Sequence, residues 1–149
     1  MNQETRTILL VEDSMQDAEL ALEALATQNL TEAIIHAHDG AEALDYLHCR
    51  GSFAERPADN PALIILDLKL PKVDGIEVLQ EVRSDEHLKH IPVVVFTSSR
   101  EERDLEACYR LGVSAYVVKP VDFADFMKAV KALGLFWATV NEPPPRSLN

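Results

Sequence analysis

Long apolar runs are absent from this 149-residue sequence. None exceeds about five or six residues, far short of the ~20 that span a bilayer, which excludes a membrane-spanning helix. Positive charge is scarce: 14 Lys and Arg face 25 Asp and Glu, for a formal net charge of −11. Such a field repels polyanions, so binding to nucleic acid or to an anionic membrane surface is not expected, and a cationic or metal-bearing partner fits better. Cysteine is limited to Cys49 and Cys108, far apart and without CxxC spacing, which argues against a disulfide framework and predicts two small buried side chains on helices. The opening Met1-Asn2-Gln3-Glu4 has no positive charge followed by an apolar segment, so a reduced, cytoplasmic location is expected. No internal repeat is visible, and the length suits one domain without a separate output module.

What the sequence does contain is an alternation of two patterns. Thr7 to Val11, Ala33 to His36, Ala62 to Leu66, Pro92 to Phe96 and Val113 to Val118 are short runs, mostly β-branched. Three of them are almost continuously apolar, as parallel strands buried on both faces must be. Helical patterns lie between. Asp39 with Glu42, and Asp122 with Asp125, read as helix starts; Phe123, Phe126, Met127 and Val130 then follow at i, i+3, i+4, i+7 as a core-facing stripe. Gly112 and Gly134 stand where helix ends are needed. Five strands alternating with five helices predict an α/β, doubly wound (βα)5 sheet in the order 2-1-3-4-5, joined by right-handed crossovers. Residues 50–61, with Gly51, Pro57 and Pro61, read as a long exposed connection.

In such a sheet the residues just past the strands' carboxyl ends share one rim. Here they are Glu12 and Asp13, Asp67, Thr97 and Ser98, and Lys119. Three clustered carboxylates repel one another unless a cation neutralises them, and oxygen donors of this kind suit a hard divalent ion, Mg2+. Lys119 adds a fixed positive charge and Thr97 a hydroxyl, both suited to holding phosphoryl oxygens. With metal and cation screening the incoming charge, Asp67, in the middle of the rim, can attack phosphorus, while Glu12 and Asp13 flank it as a metal-holding pair. Asp17 is placed by helical phase beside Leu20, Ala21 and Ala24, and a site role and a helix cap are equally open to it. A flavin mononucleotide site is disfavoured, because Glu12, Asp13 and Asp17 occupy the loop where glycines and hydroxyls would have to cradle phosphate.

Val11-Glu12-Asp13, Ile65-Leu66-Asp67-Leu68-Lys69-Leu70-Pro71, Asp74-Gly75, Val95-Phe96-Thr97-Ser98 and Tyr116-Val117-Val118-Lys119-Pro120 together resemble the receiver domain of two-component response regulators. The resemblance runs from about residue 6 to 134 and implies a flavodoxin-like fold. It implies phosphorylation of Asp67 by a sensor histidine kinase or a small phosphodonor in a phosphorelay. Mg2+ would be held by Asp13, Asp67 and the Lys69 backbone carbonyl, with Glu12 acting through water. It further implies that Lys119 pairs with the phosphoryl group, that the bond before Pro120 is cis, and that Thr97 and Tyr116 form a switch pair. The expected chemistry is phosphoryl acceptance, with Mg2+-dependent self-phosphorylation and self-dephosphorylation and no other turnover. The alternative is a phosphatase of the haloacid-dehalogenase type; that chemistry needs a second acid two residues after the nucleophile, where this chain has Lys69.

The 50–61 connection, Asp17 and the ending after Gly134 also resemble the small regulators that accompany phytochrome-type kinases, which implies a light-sensing kinase partner. Residues 1–134 are read as the receiver and 135–149 as a C-terminal extension. Leu135, Phe136 and Trp137 then form an aromatic surface for a homodimer, unless they fold back over the domain itself. His36 and His38 lack a third metal ligand and are read as solvated or edge imidazoles. Tyr46 and Tyr109 are read as core cover, and the Arg100 to Asp104 run as a solvated first turn of a helix.

Overall fold

A computed structural model describes residues 7–27 and 33–148; the opening Met1 to Glu4, the segment that bears on targeting, lies outside them. Strands β1 (Thr7–Val11), β2 (Ala33–Ala37), β3 (Leu63–Leu66), β4 (Val93–Thr97) and β5 (Ala115–Val118) form one parallel sheet in the order β2-β1-β3-β4-β5. Helices α1 (Met15–Ala26), α2 (Gly40–Leu47), α3 (Gly75–Ser84), α4 (Glu102–Arg110) and α5 (Phe123–Leu135) occupy the crossovers.

The period of two along each strand divides the apolar residues between two cores. Leu9, Val11, Ile64, Leu66, Val93 and Val95 pack against Ala43 and Leu47 of α2, Val78, Leu79 and Val82 of α3, and Cys108 of α4. Ile8, Leu10, Leu63, Ile65, Val94 and Phe96 pack against Ala21, Ala24 and Leu25 of α1 and Phe126 and Val130 of α5. Each such side chain removed from water contributes roughly 1.5–3 kcal/mol, and this is why β1, β3 and β4 carry no polar alternation.

Local chemistry sets the helix starts. Ser14, Asp39, Asp74 and Asp122 each accept a hydrogen bond from the backbone N–H three residues on, in α1, α2, α3 and α5 respectively. Gly112 follows α4 at φ +72°, a conformation that favours glycine. Gly134 differs from expectation: it is buried inside α5, and the chain runs on through a π-helical turn, Phe136–Val140, before leaving the helix. The stop is delayed because Trp137 packs back onto the core shared by α1 and α5.

Three further expectations are corrected. Phe123 opens α5 and is 61% exposed, since the first turn overhangs the sheet. Tyr109 is 56% exposed on the outer face of α4, whereas Tyr46 is buried as expected. Cys49 lies past the end of α2 at φ +54° rather than on a helix, while Cys108 is buried. Residues 50–61 are largely exposed yet anchored: Phe53 meets the Tyr46 ring edge-on at 5.2 Å, and the Arg56 guanidinium lies 4.0 Å above that ring while its Nε donates to the Tyr46 carbonyl at 2.7 Å.

Candidate functional site

Because all five strands run parallel, their carboxyl ends meet on one rim, and the acidic, hydroxyl and lysine residues just beyond them converge there. Glu12 and Asp67 are buried, Asp13 is exposed, and these three can each offer a carboxylate oxygen within 4.8 Å of the others. Lys119 reaches across from the end of β5. Its Nζ lies 2.7 Å from Glu12 Oε1, 2.8 Å from Asp17 Oδ2 and 3.0 Å from Asp67 Oδ2, so its three N–H donors meet three acids. The other oxygen of Asp67 accepts from the backbone N–H of Leu68 at 2.7 Å and of Lys69 at 3.4 Å.

The charges do not balance. Four carboxylates surround a single ammonium, and the buried Glu12 carboxyl is pushed up to about 7, chiefly by desolvation, with the neighbouring Asp67 charge adding to it and Lys119 opposing it. Burial also works against the Lys119 ammonium, but hydrogen bonds to Asp17 and Glu12 and the Asp67 charge outweigh it and hold Lys119 above the usual lysine range. Oxygen donors gathered around excess negative charge fit a hard divalent cation such as Mg2+.

The supporting backbone is tightly constrained. A Cβ on Gly75 would lie 2.3 Å from the Asp67 carbonyl, so only glycine lets α3 begin directly behind this loop. Thr97, at the end of β4, is fully buried, and its Oγ1 accepts from the Ser99 N–H at 3.4 Å. Tyr116 is half-buried, its ring packed at the edge of the α2–α4 core and its hydroxyl donating to the Ser99 carbonyl at 3.0 Å.

The structure thus brings Glu12, Asp13, Asp67 and Lys119 together and places Thr97 at the neighbouring strand end. Lys69 contributes its backbone here, while its side chain points outward to within 4.0 Å of Asp104 Oδ2. Asp17 is resolved in favour of the site: Ser14 is the α1 cap, and the Asp17 carboxylate binds Lys119. The bond before Pro120 is trans, contrary to expectation, as are all peptide bonds among the described residues. Trans is the intrinsically favoured isomer, and with it Lys119 already spans all three acids. The reading of residues 100–104 as merely solvated misses Asp104, which accepts from the Ser99 hydroxyl at 2.6 Å and so fixes the β4–α4 loop. The reading of His36 as a bland edge imidazole is also too weak; its Nε2 lies 2.8 Å from the Glu12 carbonyl. A polar residue on an otherwise apolar edge strand was the one available signal.

Residues 8–131 match the family model of the response regulator receiver domain. This chain is a response regulator receiver domain. It is 42% identical over 132 residues to response regulator Rcp1 of Synechocystis, covering 89% of this chain and 88% of that protein. The structure superposes on the Mn2+-bound form of Rcp1 with a TM-score of 0.88, over 94% of this chain and 99% of that one. It is also similar to the phosphorylated cyanobacterial phytochrome response regulator RcpA, with 40% identity, a TM-score of 0.89 and coverage of 95% and 100%. The bacteriophytochrome response regulator AtBRR is 58% identical, with a TM-score of 0.75 and coverage of 94% and 100%. As a receiver, the chain works in two-component signalling, where histidine kinases are the phosphoryl donors.

Proposed function

We propose that Asp67 is the phosphoryl acceptor of this receiver and that the acids around it hold Mg2+ while the group is transferred. The observation that carries the reading is Lys119 Nζ placed 3.0 Å from Asp67 Oδ2 beside a three-acid cluster. The phosphorylated RcpA and the Mn2+-bound Rcp1 support it by likeness. A carboxylate oxygen of Asp67 forms a bond to phosphorus as the bond from phosphorus to the donor's histidine nitrogen breaks, and the freed imidazole keeps that electron pair. Asp13, Asp67 and the Lys69 carbonyl would hold Mg2+, with Glu12 acting through water. Bound there, the ion offsets the negative charge of acceptor and phosphoryl group.

Lys119 follows the new charge, exchanging carboxylate contacts for a phosphoryl oxygen. The Thr97 hydroxyl moves toward another, and Tyr116 responds through the Ser99 carbonyl that it already holds. Such a switch needs only a bias of a few kcal/mol between two existing states. The chemistry ends with hydrolysis of the acyl phosphate by the domain itself, and Lys69 and Ser99 tune its rate by limiting water access.

A phytochrome-type histidine kinase is the proposed donor, on the likeness to RcpA and AtBRR. The proposed setting is the cytoplasm, with no nucleic-acid or membrane ligand. Two free thiols suit a reducing compartment, and among the described residues no helix is long and apolar enough to cross a membrane. The segment beyond Gly134 is proposed as a C-terminal extension to a receiver spanning residues 1–134, and as the contact surface of a homodimer.

The test is intact-mass measurement after incubation with acetyl phosphate and Mg2+. One phosphoryl group is expected on the wild type and none on a folded Asp67→Asn variant. Undiminished labelling of that variant overturns the assignment.

A further inference from the structure

The last ordinary strand contact of β1 toward β2 is the Glu12 N–H donating to the Ala37 carbonyl at 3.0 Å. Continuing the ladder would give the Glu12 carbonyl an N–H from β2, but β2 ends at Ala37. A side chain takes the place of that missing donor. His36, paired with Leu10 in the strand register, turns its ring along the strand so that Nε2 lies 2.8 Å from the Glu12 carbonyl oxygen. A carbonyl can only accept, so Nε2 carries the hydrogen. The ring is braced by His38, centroid to centroid 4.1 Å, and His38 Nδ1 lies 3.3 Å from the Glu42 carboxylate.

This bond fixes more than a carbonyl. The carbonyl belongs to the peptide that joins Glu12 to Asp13, and the plane of that peptide sets where the Asp13 Cα, and hence its carboxylate, can go. The same short loop is held by the Glu12 N–H and by the Ser14 N–H donating to Glu12 Oε2 at 3.2 Å. Without His36 the Glu12 carbonyl loses this bond, and only the Glu12 and Ser14 N–H contacts remain to hold the loop that carries the exposed Asp13 carboxylate.

We propose that His36 is a positioning residue for the cation site, setting the Asp13 carboxylate through its hydrogen bond to the Glu12 main-chain carbonyl. The proposal rests on the reading of Glu12, Asp13 and Asp67 as the Mg2+ site. It goes beyond that reading in assigning part of the affinity to an edge-strand histidine that touches no ion.

Isotope-edited NMR of histidine nitrogens and calorimetric Mg2+ titration, both on the full chain, test it. Gln at this position places its amide N–H where Nε2–H lies; Asn places it at the other ring nitrogen; Phe keeps the ring and removes the donor. The wild type is expected to show the Nε2–H form at His36. Loss of an outer contact of this kind typically weakens metal binding by 10-fold or more, so His36→Phe and His36→Asn are expected to lose roughly tenfold in Mg2+ affinity. His36→Gln should recover most of that loss, with unchanged circular dichroism in all three. Wild-type affinity in the Phe variant, or equal losses in Phe and Gln, overturns the positioning role. If the wild type binds no Mg2+, the reading of the acid cluster fails by itself. The hold on the loop is then decided separately, by the His36 tautomer and by the Glu12 to Ser14 amide shifts in His36→Phe, where an Nδ1–H form or unmoved amides refutes it.

Discussion

At the scale of single residues, the site is built from charges that oppose one another in the absence of metal. Glu12 shows this most directly, because burial raises its carboxyl from 4.5 to about 7. The folded protein therefore retains a proton that the unfolded chain has released over that interval. Its contribution to stability is fully present below pH 4.5 and is lost as pH rises through about 7. Without Mg2+, the wild type is expected to lose about 1–3 kcal/mol relative to Glu12→Gln between pH 4.5 and 8, read from urea unfolding. Lys119, held above its ordinary range, adds stability that is lost only in strongly alkaline solution. Mg2+ binding near pH 6.5 is expected to release a proton from wild type and none from Glu12→Gln, measured by calorimetry in buffers of different ionisation enthalpy. Asp13 carries the companion prediction. Asp13→Asn removes one of three clustered acids, so Mg2+ affinity is expected to fall tenfold or more while the metal-free protein melts a few degrees higher. A variant that melts lower without metal and binds Mg2+ unchanged would show that Asp13 is structural. Glu12, Asp13, Asp67 and Lys119 were legible in the sequence because each lies within two residues past the end of an apolar strand, and a parallel sheet puts all such positions on one edge. Asp17 and His36 were not decided there: their partners depend on side-chain direction between segments whose separation carries no such information.

At the scale of elements, the strands are short runs whose alternate residues feed two cores, and their caps sit where the sequence places Asp39 and Asp122. What spacing does not reveal is where a helix overhangs its sheet. Phe123 fits the i, i+3, i+4, i+7 stripe of α5 and yet lies beyond the last residue it could pack against. Gly134 was misjudged for a related reason: a glycine ends a helix only if the next residues turn the chain away, and here Trp137 returns to the core. The interlock between α3 and the α4 end likewise has no short-range signature. Arg83 on α3 donates to the carbonyls of Lys89 at 3.1 Å, Ile91 at 2.9 Å, Leu111 at 2.8 Å and Gly112 at 3.1 Å, joining the approach to β4 with the exit of α4. Replacing it by Met leaves four carbonyls to find water, and the expected cost is about 2–4 kcal/mol by urea unfolding, with Mg2+ affinity unaltered. Lys is expected to recover little, because one ammonium cannot follow the planar fork to two separated segments. Stability within 0.5 kcal/mol of wild type, roughly the spread of neutral surface changes, would refute the interlock.

At the scale of the whole molecule, two filled cores leave a group of large apolar side chains exposed past the end of α5. Leu135 at 49%, Phe136 at 46% and Val140 at 64% exposure lie at the end of α5 and in the turn that continues it, whereas Trp137 is partly buried against the domain's own core. The two alternatives for Leu135 to Trp137 thus divide between residues: Trp137 covers, and Phe136 with Val140 faces outward. Large apolar side chains presented together on an otherwise charged surface are suited to a symmetric contact with a second copy. The full chain is expected to sediment as a dimer at tens of micromolar. Phe136→Glu combined with Val140→Asp should give a monomer with little change in melting temperature, because both side chains are exposed and only the edge-on contact of Phe136 with Trp137 is given up. Trp137→Ala should do the reverse, lowering the melting temperature by several degrees as about 2–4 kcal/mol of packing is lost while the dimer persists. A wild-type protein that sediments as a monomer at that concentration, both with and without phosphorylation, rules the dimer out. A melting temperature lowered as much by the double variant as by Trp137→Ala would instead assign the whole segment to covering its own domain.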